Sequence, residues 1–404
     1  MVIDEADFYD AFTQENIVVL LRVLRILKVP VLLMSATVPE SARETYEQSG
    51  FAIEKIHEDN SDTERPRCHI KKYGKAETPE DVEELLERAL KGEPTIIYAN
   101  TVARAQSYYR WFKARDFADA VLYHSRFIEP HKVEKENLLR EMLGREAWKN
   151  GTQRGVAILT QIGEISVNIS ADLMISDLCP LDRLAQRVGR LSRFAERKGK
   201  FENVIGELFV VEPFRKGEFY PAPYGEYRQK VGWLPTEVLQ HSNELLKDAN
   251  YSAKDFVNLV NQLYPRAAVI SADVRVNREA LENSVVINWL ILPQETREEK
   301  IEEDADHTKD WKCRDIPFQY TIFAGFEKDE DYPPRNKTEL REFENRYGIT
   351  IYAYEYQNAV RDNLIIPITF SISFEDVQRP YVSASHYNLE TGLNFAESYE
   401  DNII

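Results

Sequence analysis

Short apolar runs alternate with segments of helical periodicity along the first half of the chain. The runs are rich in β-branched residues and leucine, which predicts strands, whereas apolar residues recurring every three or four positions predict the helices between them. The predicted strands are Val29–Met34, Phe51–Ile56, Thr95–Tyr98, Ala120–Tyr123, Gly155–Thr160, Leu173–Asp177 and Gly206–Glu212. This alternation predicts an α/β fold with a parallel, doubly wound sheet.

Helix boundaries are marked by capping residues and by glycine. Thr78-Pro79 precedes a periodic segment that ends near Gly92, as expected of a helix with a capped start and a glycine stop. The other predicted helices are Gln14–Lys28, Ser41–Gln48, Val102–Arg115, Val133–Trp148, Asp182–Arg197 and Thr236–Asn261.

The helix predicted over Asp182–Arg197 carries a group of polar side chains. Gln186, Arg190 and Arg193 are spaced by four and then three residues, so on a helix they share one face. Guanidinium groups on such a face suit phosphate oxygens, because each presents a planar fork of donors and stays charged. A solvated basic helix face is the alternative interpretation.

Polar residues follow the first two apolar runs directly. Asp4-Glu5-Ala6-Asp7 comes after Met1–Ile3, and Ser35-Ala36-Thr37 comes after the next predicted strand. Ligands gather at the carboxyl ends of strands in open α/β sheets. Hard Mg²⁺ prefers oxygen ligands, so one carboxylate can hold the ion while a neighbouring one orients a water for attack on a phosphate.

Composition changes after Glu212. The segment from Phe214 to Trp233 is rich in Tyr, Pro and Gly and indicates a linker, and the run from Glu295 to Asp310 is strongly acidic, which favours a solvated helix or connection. The stretch from Phe318 to Phe374 alternates aromatic and β-branched residues with polar ones, which indicates a small terminal domain rich in strands.

Charge and cysteine content limit the classes of function. The 404 residues carry a formal charge of −17 with a pI near 5.1, so bulk electrostatic coating of nucleic acid is excluded and any contact must be local. Three widely separated cysteines suggest neither a disulfide framework nor a zinc site and fit a reducing cytoplasm. We expect no membrane span, because the most apolar stretch contains Arg22, Arg25, Lys28 and Pro30. We expect no signal peptide, because the chain opens with the acidic Asp4–Asp7.

Several polar and aromatic residues have two interpretations. His124 and His131 fit ordinary polar roles better than a metal site, and Arg104, Arg110 and Lys113 fit a solvated helix face better than a DNA flank. A group of aromatic residues in the linker could stack on bases or pack the linker itself, and packing is favoured. These residues are Tyr220, Tyr224, Tyr227 and Trp233.

The order of motifs resembles that of a superfamily-two helicase. The motifs are Asp4-Glu5-Ala6-Asp7, Ser35-Ala36-Thr37, Ile96–Thr101, Tyr123–Phe127, Thr160-Gln161 with Glu164 and Ser166, and Gln186–Arg193. Within that superfamily the chain resembles the large helicase of type I CRISPR interference. This closer likeness rests on His124–Phe127, Thr160–Ser166, Asp177–Asp182, and Tyr387 with Gly392-Leu393.

The resemblance implies tandem RecA-like helicase domains, the first one incomplete, followed by a smaller mixed α/β domain. Residues 1–75 would form the last part of the first RecA-like domain and 76–212 the second, with a linker and helical segment at 213–300 and an accessory domain at 301–404. It also implies ATP hydrolysis that drives translocation along single-stranded DNA. The implied partners are a crRNA-guided surveillance complex and a nuclease domain or subunit supplied elsewhere.

Residue roles follow from the same resemblance. Asp4 would hold Mg²⁺ and Glu5 would activate water, while Asp7, Ser35 and Thr37 would couple hydrolysis to movement. The ATP phosphates would be contacted by Gln186, Arg190 and Arg193. Nucleic-acid contacts are implied for Asn100, Thr101, His124, Ser125, Arg126, Thr160 and Gln161.

Two departures from the family pattern change the expectation. Asn168 stands where the family usually carries an aspartate, and the chain contains no Gly-x-x-x-x-Gly-Lys-Ser/Thr phosphate loop. We therefore expect the chain alone to bind ATP poorly. A non-catalytic module that docks on the surveillance complex or on the helicase is the first alternative, and a DNA-repair helicase of the same superfamily is the second.

Overall fold

The structure is a computed structural model that divides into two compact units. It describes residues 1–4, 11–34, 40–51, 63–164, 167–228, 231–265, 270–285, 311–312, 318–327, 332–372, 375–383 and 385–395. Unit 1 comprises Met1–Glu64 with Lys254–Ile316, and unit 2 comprises Arg65–Ala253 with Pro317–Ile404.

The described strands and helices are numbered in chain order. The strands are β1 (Val2–Ile3), β2 (Leu32–Leu33), β3 (Pro66–Ala76), β4 (Thr95–Tyr98), β5 (Ala120–Tyr123), β6 (Val156–Leu159), β7 (Leu173–Asp177), β8 (Glu196–Arg197), β9 (Lys200–Phe201), β10 (Gly206–Arg215), β11 (Glu218–Phe219), β12 (Glu226–Arg228), β13 (Gly232–Leu234), β14 (Ala249–Ser252), β15 (Gln319–Phe323), β16 (Gly348–Tyr352), β17 (Ile365–Ile372), β18 (Glu375–Val382), β19 (Tyr387–Asn388) and β20 (Gly392–Leu393). The helices are α1 (Ala11–Ile26), α2 (Glu40–Glu47), α3 (Glu83–Leu90), α4 (Val102–Lys113), α5 (Glu129–Leu143), α6 (Arg145–Asn150), α7 (Leu181–Val188), α8 (Glu237–Leu245), α9 (Ala253–Leu263), α10 (Ala272–Val285), α11 (Lys337–Tyr347) and α12 (Ala353–Arg361), with 3-10 helices at Pro79–Val82 and Gln161–Glu164.

Unit 1 contains a parallel strand pair and an amphipathic helix. β1 pairs in parallel with β2, so the carboxyl ends of the two strands lie at the same edge, as the sequence predicts. Ile17 and Leu21, one turn apart on α1, pack with Tyr46 of α2 in a small apolar cluster. The strand predicted at Phe51–Ile56 and the acidic run from Glu295 to Asp310 lie outside the described residues, except for Phe51 itself.

Unit 2 is organised around a sheet with the strand order β14-β3-β10-β7-β4-β6-β5. Its strands are parallel, except that β14 runs antiparallel to β3 and β11 antiparallel to β10. Every residue of β4, β5 and β6 is buried, which is why these strands appear in the sequence as uninterrupted apolar runs. The predicted doubly wound parallel sheet is confirmed.

The last part of unit 2 is a mixed α/β subdomain. Its sheet has the order β16-β15-β18-β17, and α11 and α12 contribute Phe343, Tyr347 and Ala359 to one apolar core with the strands. The aromatic pattern predicted strands but hid the two helices, because α11 buries few residues of a largely charged sequence, among them Leu340 and Phe343.

Three predicted boundaries are wrong. The helix predicted over Val133–Trp148 is divided into α5 and α6 at Gly144, whose backbone is extended and where a Cβ would lie 2.2 Å from the carbonyl oxygen of Arg140. The helix predicted over Thr236–Asn261 is interrupted by β14. The charged, apolar-poor composition of Glu58–Arg67 predicts a loop, but β3 already begins at Pro66. The charged residues of β3 mask the alternation of buried Cys68 and Ile70.

Two further observations concern chain organisation. Unit 2 begins at Arg65, just before β3, and β3 pairs with β10 in the sheet of this unit. The division of the chain at residues 75, 212 and 300, expected from the resemblance, stays a prediction. Among the helices that the structure describes, none has the length and apolar character needed to cross a membrane.

Candidate nucleotide and nucleic-acid site

Polar residues collect at the carboxyl ends of four neighbouring parallel strands in unit 2. Tyr98 of β4 lies in register with Leu159 of β6 and Ser176 of β7, and Tyr123 of β5 lies in register with Leu159. The residues that follow these positions therefore come out at one edge of the sheet. They are Asn100-Thr101, His124–Arg126, Thr160-Gln161 and Asp177-Leu178.

Arg187 of α7 is the centre of this edge. Its side chain has no exposed surface, and Nε donates to Glu164 Oε1 at 2.8 Å. Nη1 donates to Ser176 Oγ at 2.8 Å and to the Asp177 carbonyl at 3.0 Å, while Nη2 donates to Asn100 Oδ1 at 3.2 Å. One buried guanidinium thus binds the ends of β4 and β7 and the 3-10 helix that follows β6.

A second buried ion pair lies beside Arg187. Arg104 Nε donates to Asp177 Oδ1 at 2.9 Å, and the other oxygen of this carboxylate accepts the Asn100 amide at 2.8 Å. The Arg104 side chain is only 10% exposed, so the solvated helix face expected for this residue is wrong. Sequence reasoning missed the pairing because β7 and α4 are far apart along the chain.

The nucleic-acid residues predicted after β4 and β6 differ in exposure. Asn100 and Thr160 are buried, and the Asn100 side chain also donates to the Leu178 carbonyl at 2.8 Å. Thr101 caps α4 by accepting the Arg104 amide at 3.3 Å, and Gln161 Nε2 donates to the Asn100 carbonyl at 2.7 Å. Thr101 and Gln161 are partly exposed, so they retain surface through which a ligand can be contacted.

The predicted helix that was to carry Gln186, Arg190 and Arg193 on one face is wrong in extent. α7 ends at Val188 with Gly189 as its cap, and Leu191 then forms a parallel bridge with Ala171. Ser192 has a φ of +46°, which a continuing right-handed helix does not allow. Arg190 and Arg193 therefore lie in the turn after α7 and not on its face.

These two arginines have few acidic neighbours. Arg190 is buried, and its Nε and Nη1 donate to the carbonyls of Val167 and Gln186, each at 3.2 Å. Arg193 is exposed; desolvation lowers the pKa of its guanidinium, and the charge of Arg190 lowers it further. No ion pair is found for either side chain among the described residues, so this turn presents positive charge that an anion can neutralise.

The loop after β5 packs against the C-terminal subdomain. His124 is fully buried: its Nε2 lies 3.1 Å from the Thr391 carbonyl, and its Nδ1 accepts the Arg126 amide at 3.2 Å. Arg126 forms an ion pair with Glu355, and its carbonyl accepts the Leu393 amide at 2.9 Å. Of the residues predicted to bind nucleic acid here, only Ser125 is exposed.

Burial keeps the His124 ring and the Cys179 thiol neutral. It lowers the pKa of His124 well below 6.5, with Arg126 adding to the effect. Burial also raises the pKa of the Cys179 thiol to about 12, so this thiol stays protonated and does not act as a nucleophile. His131 Nδ1 bonds to the Tyr387 hydroxyl at 2.7 Å, an ordinary polar role as favoured from the sequence.

The predicted metal and coupling residues belong to unit 1. Asp4 follows β1 and is exposed. Glu5, Asp7, Ser35 and Thr37 lie outside the described residues. The roles assigned to these residues stay predictions.

The region that carries this edge is similar to known proteins. Residues 91–196, which include β4–β7, α7 and the arginine turn, match the model for the C-terminal region of the CRISPR-associated nuclease/helicase Cas3. The chain is 32% identical over 254 residues to a putative CRISPR-associated nuclease/helicase Cas3 of Methanocaldococcus jannaschii, covering 61% of this chain and 31% of that protein. It is 24% identical over 442 residues to the Cas3 of Streptococcus thermophilus, covering 99% of this chain and 46% of that protein.

A solved structure gives a similar result for the fold. A chain in a CRISPR RNA-guided surveillance complex, in its pre-nicking state, superposes with a TM-score of 0.63 at 20% identity, covering 98% of this chain and 56% of that one. The chain thus spans about half the length, or less, of the curated relatives described above. The resemblance to the C-terminal portion of the type I CRISPR helicases is confirmed, as is the RecA-like fold class.

Proposed function

From this family likeness, we propose that the chain is the C-terminal portion of an ATP-dependent single-stranded-DNA translocase of type I CRISPR antiviral defence. The longer protein would be recruited to a crRNA-guided surveillance complex and would unwind target DNA for degradation. One observation carries the proposal: within the region that matches the Cas3 family, Arg190 and Arg193 lie in a turn where no carboxylate pairs with them among the described residues.

The chemistry of this turn fits a nucleoside triphosphate. A guanidinium that donates only to carbonyls keeps its full charge, and such a charge stabilises the negative charge that develops on a transferring phosphoryl group. Arg190 and Arg193 would supply it, with Gln186 alongside. By the family resemblance, Asp4 would hold Mg²⁺, whose charge would offset that of the phosphates, and Glu5 would orient the attacking water.

Contacts with DNA would be made by the exposed members of the strand ends. Thr101, Ser125 and Gln161 are suited to the phosphate and sugar of a single strand, which are recognised by hydroxyl and amide groups without base specificity. The buried Asn100, His124 and Thr160, together with Arg126 in its ion pair with Glu355, would hold these three in place. An acidic chain can bind DNA in this way because the contacts are few and local.

Arginine substitutions in the complete helicase that contains this chain test the proposal. We expect Arg193→Ala and Arg190→Ala each to lower DNA-stimulated ATP hydrolysis by about a thousand-fold, the magnitude typical of an arginine finger. Arg145→Ala is the matched control, because Arg145 is an exposed arginine of unit 2 that begins α6. Unchanged hydrolysis in Arg193→Ala and Arg190→Ala would exclude the phosphate role of the turn.

The second candidate is a non-catalytic module that docks on the surveillance complex or on the helicase. The two functions are separated by assaying the 404-residue chain by itself. ATP turnover that rises with added single-stranded DNA contradicts the docking module. Binding of the chain to the surveillance complex without any turnover in the complete protein contradicts the translocase.

A further inference from the structure

Tyr224 comes from the linker after the sheet, yet its hydroxyl reaches the buried centre of the strand-end edge. It accepts a hydrogen bond from Arg187 Nη2 at 3.0 Å and lies 3.3 Å from Glu164 Oε1, to which it donates. Burial raises the pKa of Tyr224 well above its ordinary value, and the Glu164 carboxylate raises it further. The phenol therefore stays protonated and serves both partners at once.

Arg187 connects two parts of the edge that have different proposed ligands. On one side, its Nη2 donates to Asn100 Oδ1, and the backbone carbonyl of Asn100 accepts a hydrogen bond from Gln161 Nε2 at 2.7 Å. On the other side, the Arg187 carbonyl accepts the Arg190 amide at 2.9 Å, which begins the arginine turn. Arg187 thus contacts the residues proposed to meet DNA through its guanidinium and the turn proposed to meet phosphate through its backbone.

We propose that Tyr224 is a positioning residue that fixes the Arg187 guanidinium, and through it the arginine turn, so that DNA bound at Gln161 and Thr101 accelerates ATP hydrolysis. This inference rests on the function proposed above. Tyr224 suits the role because it belongs to the linker and not to the sheet, and its backbone is held there by hydrogen bonds with Pro221 and Thr236.

Removal of the Tyr224 hydroxyl leaves no buried charge without a partner. In Tyr224→Phe, Arg187 keeps Glu164, Ser176 and Asn100 as acceptors, and the aromatic ring that lies 5.9 Å from the guanidinium remains. The variant is therefore expected to fold. The variant loses the hydrogen bond from Arg187 Nη2 to the Tyr224 hydroxyl, which restricts the position of the guanidinium.

The test compares Tyr224→Phe with wild type in the complete helicase, with single-stranded DNA of fixed length. We expect the DNA-stimulated kcat to fall about ten-fold while the KM for ATP stays unchanged, the effect of losing one charge-assisted hydrogen bond that acts in the transition state. Tyr73→Phe is the matched control, because Tyr73 also donates its hydroxyl to a glutamate, Glu84, at 3.0 Å, but from β3.

Amide hydrogen exchange provides a readout that does not depend on hydrolysis. We expect faster exchange in Tyr224→Phe at Arg190 and Leu191 and at Arg104 and Ala105, with exchange along β3 unchanged. Unaltered exchange at these amides, or a lower melting temperature with full DNA stimulation below it, would overturn the positioning role. A wild-type protein that hydrolyses no ATP would instead refute the proposed function, and the exchange result would still decide whether Tyr224 positions the turn.

Discussion

Arg187 and Arg193 belong to one motif but lie in opposite environments. Arg187 has no exposed side-chain surface and is bound by a carboxylate, two side-chain oxygens, a carbonyl and a phenol. Arg193 is exposed, and its backbone amide, which donates to Ser170 Oγ at 2.9 Å, is what anchors it. The first arginine holds strands together, whereas the second has charge available for a ligand.

The same contrast recurs in the loop after β5. His124 and Arg126 bind residues of the C-terminal subdomain, while Ser125 between them is exposed. Motif spacing therefore indicates which residues lie at the edge of the sheet, but not which of them can still contact a ligand. Availability depends on partners that come from distant parts of the chain, such as Glu355 and Thr391.

The largest expected effect is a difference in stability between substitutions of Arg187 and of Arg193. Arg187→Met should lower the free energy of unfolding of unit 2 by about 3–5 kcal/mol, because it leaves the buried Glu164 carboxylate without its cation. Arg193→Met should change it by less than about 0.5 kcal/mol, as exposed positions usually do. Denaturant midpoints, with amide exchange of β4, β6 and β7 as a local probe, measure the difference; equal losses in the two variants would contradict the contrast.

Local sequence signals predicted the sheet of unit 2 well. The bounds of β4, β5 and β7 match the predicted strands, because each is a short apolar run flanked by polar residues. The extent of α7 was not predictable from spacing, since a helical period continues through Gly189 while the chain turns to place Leu191 against Ala171. Strand β14 was also missed, because Ala249–Ser252 becomes a strand only by pairing with β3.

The site was predicted less completely than the fold. Arg190, Arg193 and the strand-end residues were identified by motif, but Arg187, Arg104 and Tyr224 were not assigned their roles. Each of these three acts through a partner remote in sequence, as when Arg104 pairs with Asp177. Propensity and periodicity carry no information about such pairs.

Gly392 tests the contact that occupies the loop after β5. It has a φ of +70°, and a Cβ there would lie 2.7 Å from the Arg126 carbonyl oxygen and 2.8 Å from His124 Cε1. Gly392→Ala should therefore destabilise unit 2 by about 2–3 kcal/mol, from backbone strain and overpacking together. The matched control is Gly217→Ala, where φ is +78° but nothing lies within 4 Å of a Cβ, so strain alone should cost about 1 kcal/mol.

The outcome decides whether the docked loop is tightly packed. Thermal or denaturant unfolding of both alanine variants gives the difference directly. A Gly392→Ala variant no less stable than Gly217→Ala would show that the subdomain yields at this point, and that His124 is not held as closely as Arg187.

The smallest effect concerns the pH dependence of the same contact. His124 is neutral in the folded protein, because Nδ1 accepts the Arg126 amide while Nε2–H donates to Thr391, and burial holds its pKa well below 6.5. The unfolded chain takes up a proton on this ring below about pH 6.5, so it binds more protons than the folded state. The free energy of unfolding should then fall as the pH decreases from about 6.5, by up to about 1.4 kcal/mol per pH unit.

Two histidine variants assign this pH dependence. His124→Asn should remove most of the slope between about pH 6.5 and 5, because an amide can replace both hydrogen bonds without titrating. His131→Asn should remove less, since burial lowers the pKa of His131 to a smaller degree. Urea unfolding across this pH range measures both slopes. If His124→Asn retained the wild-type slope, the ring would be solvated in the folded protein, and the loop after β5 would be as open to ligands as the arginine turn.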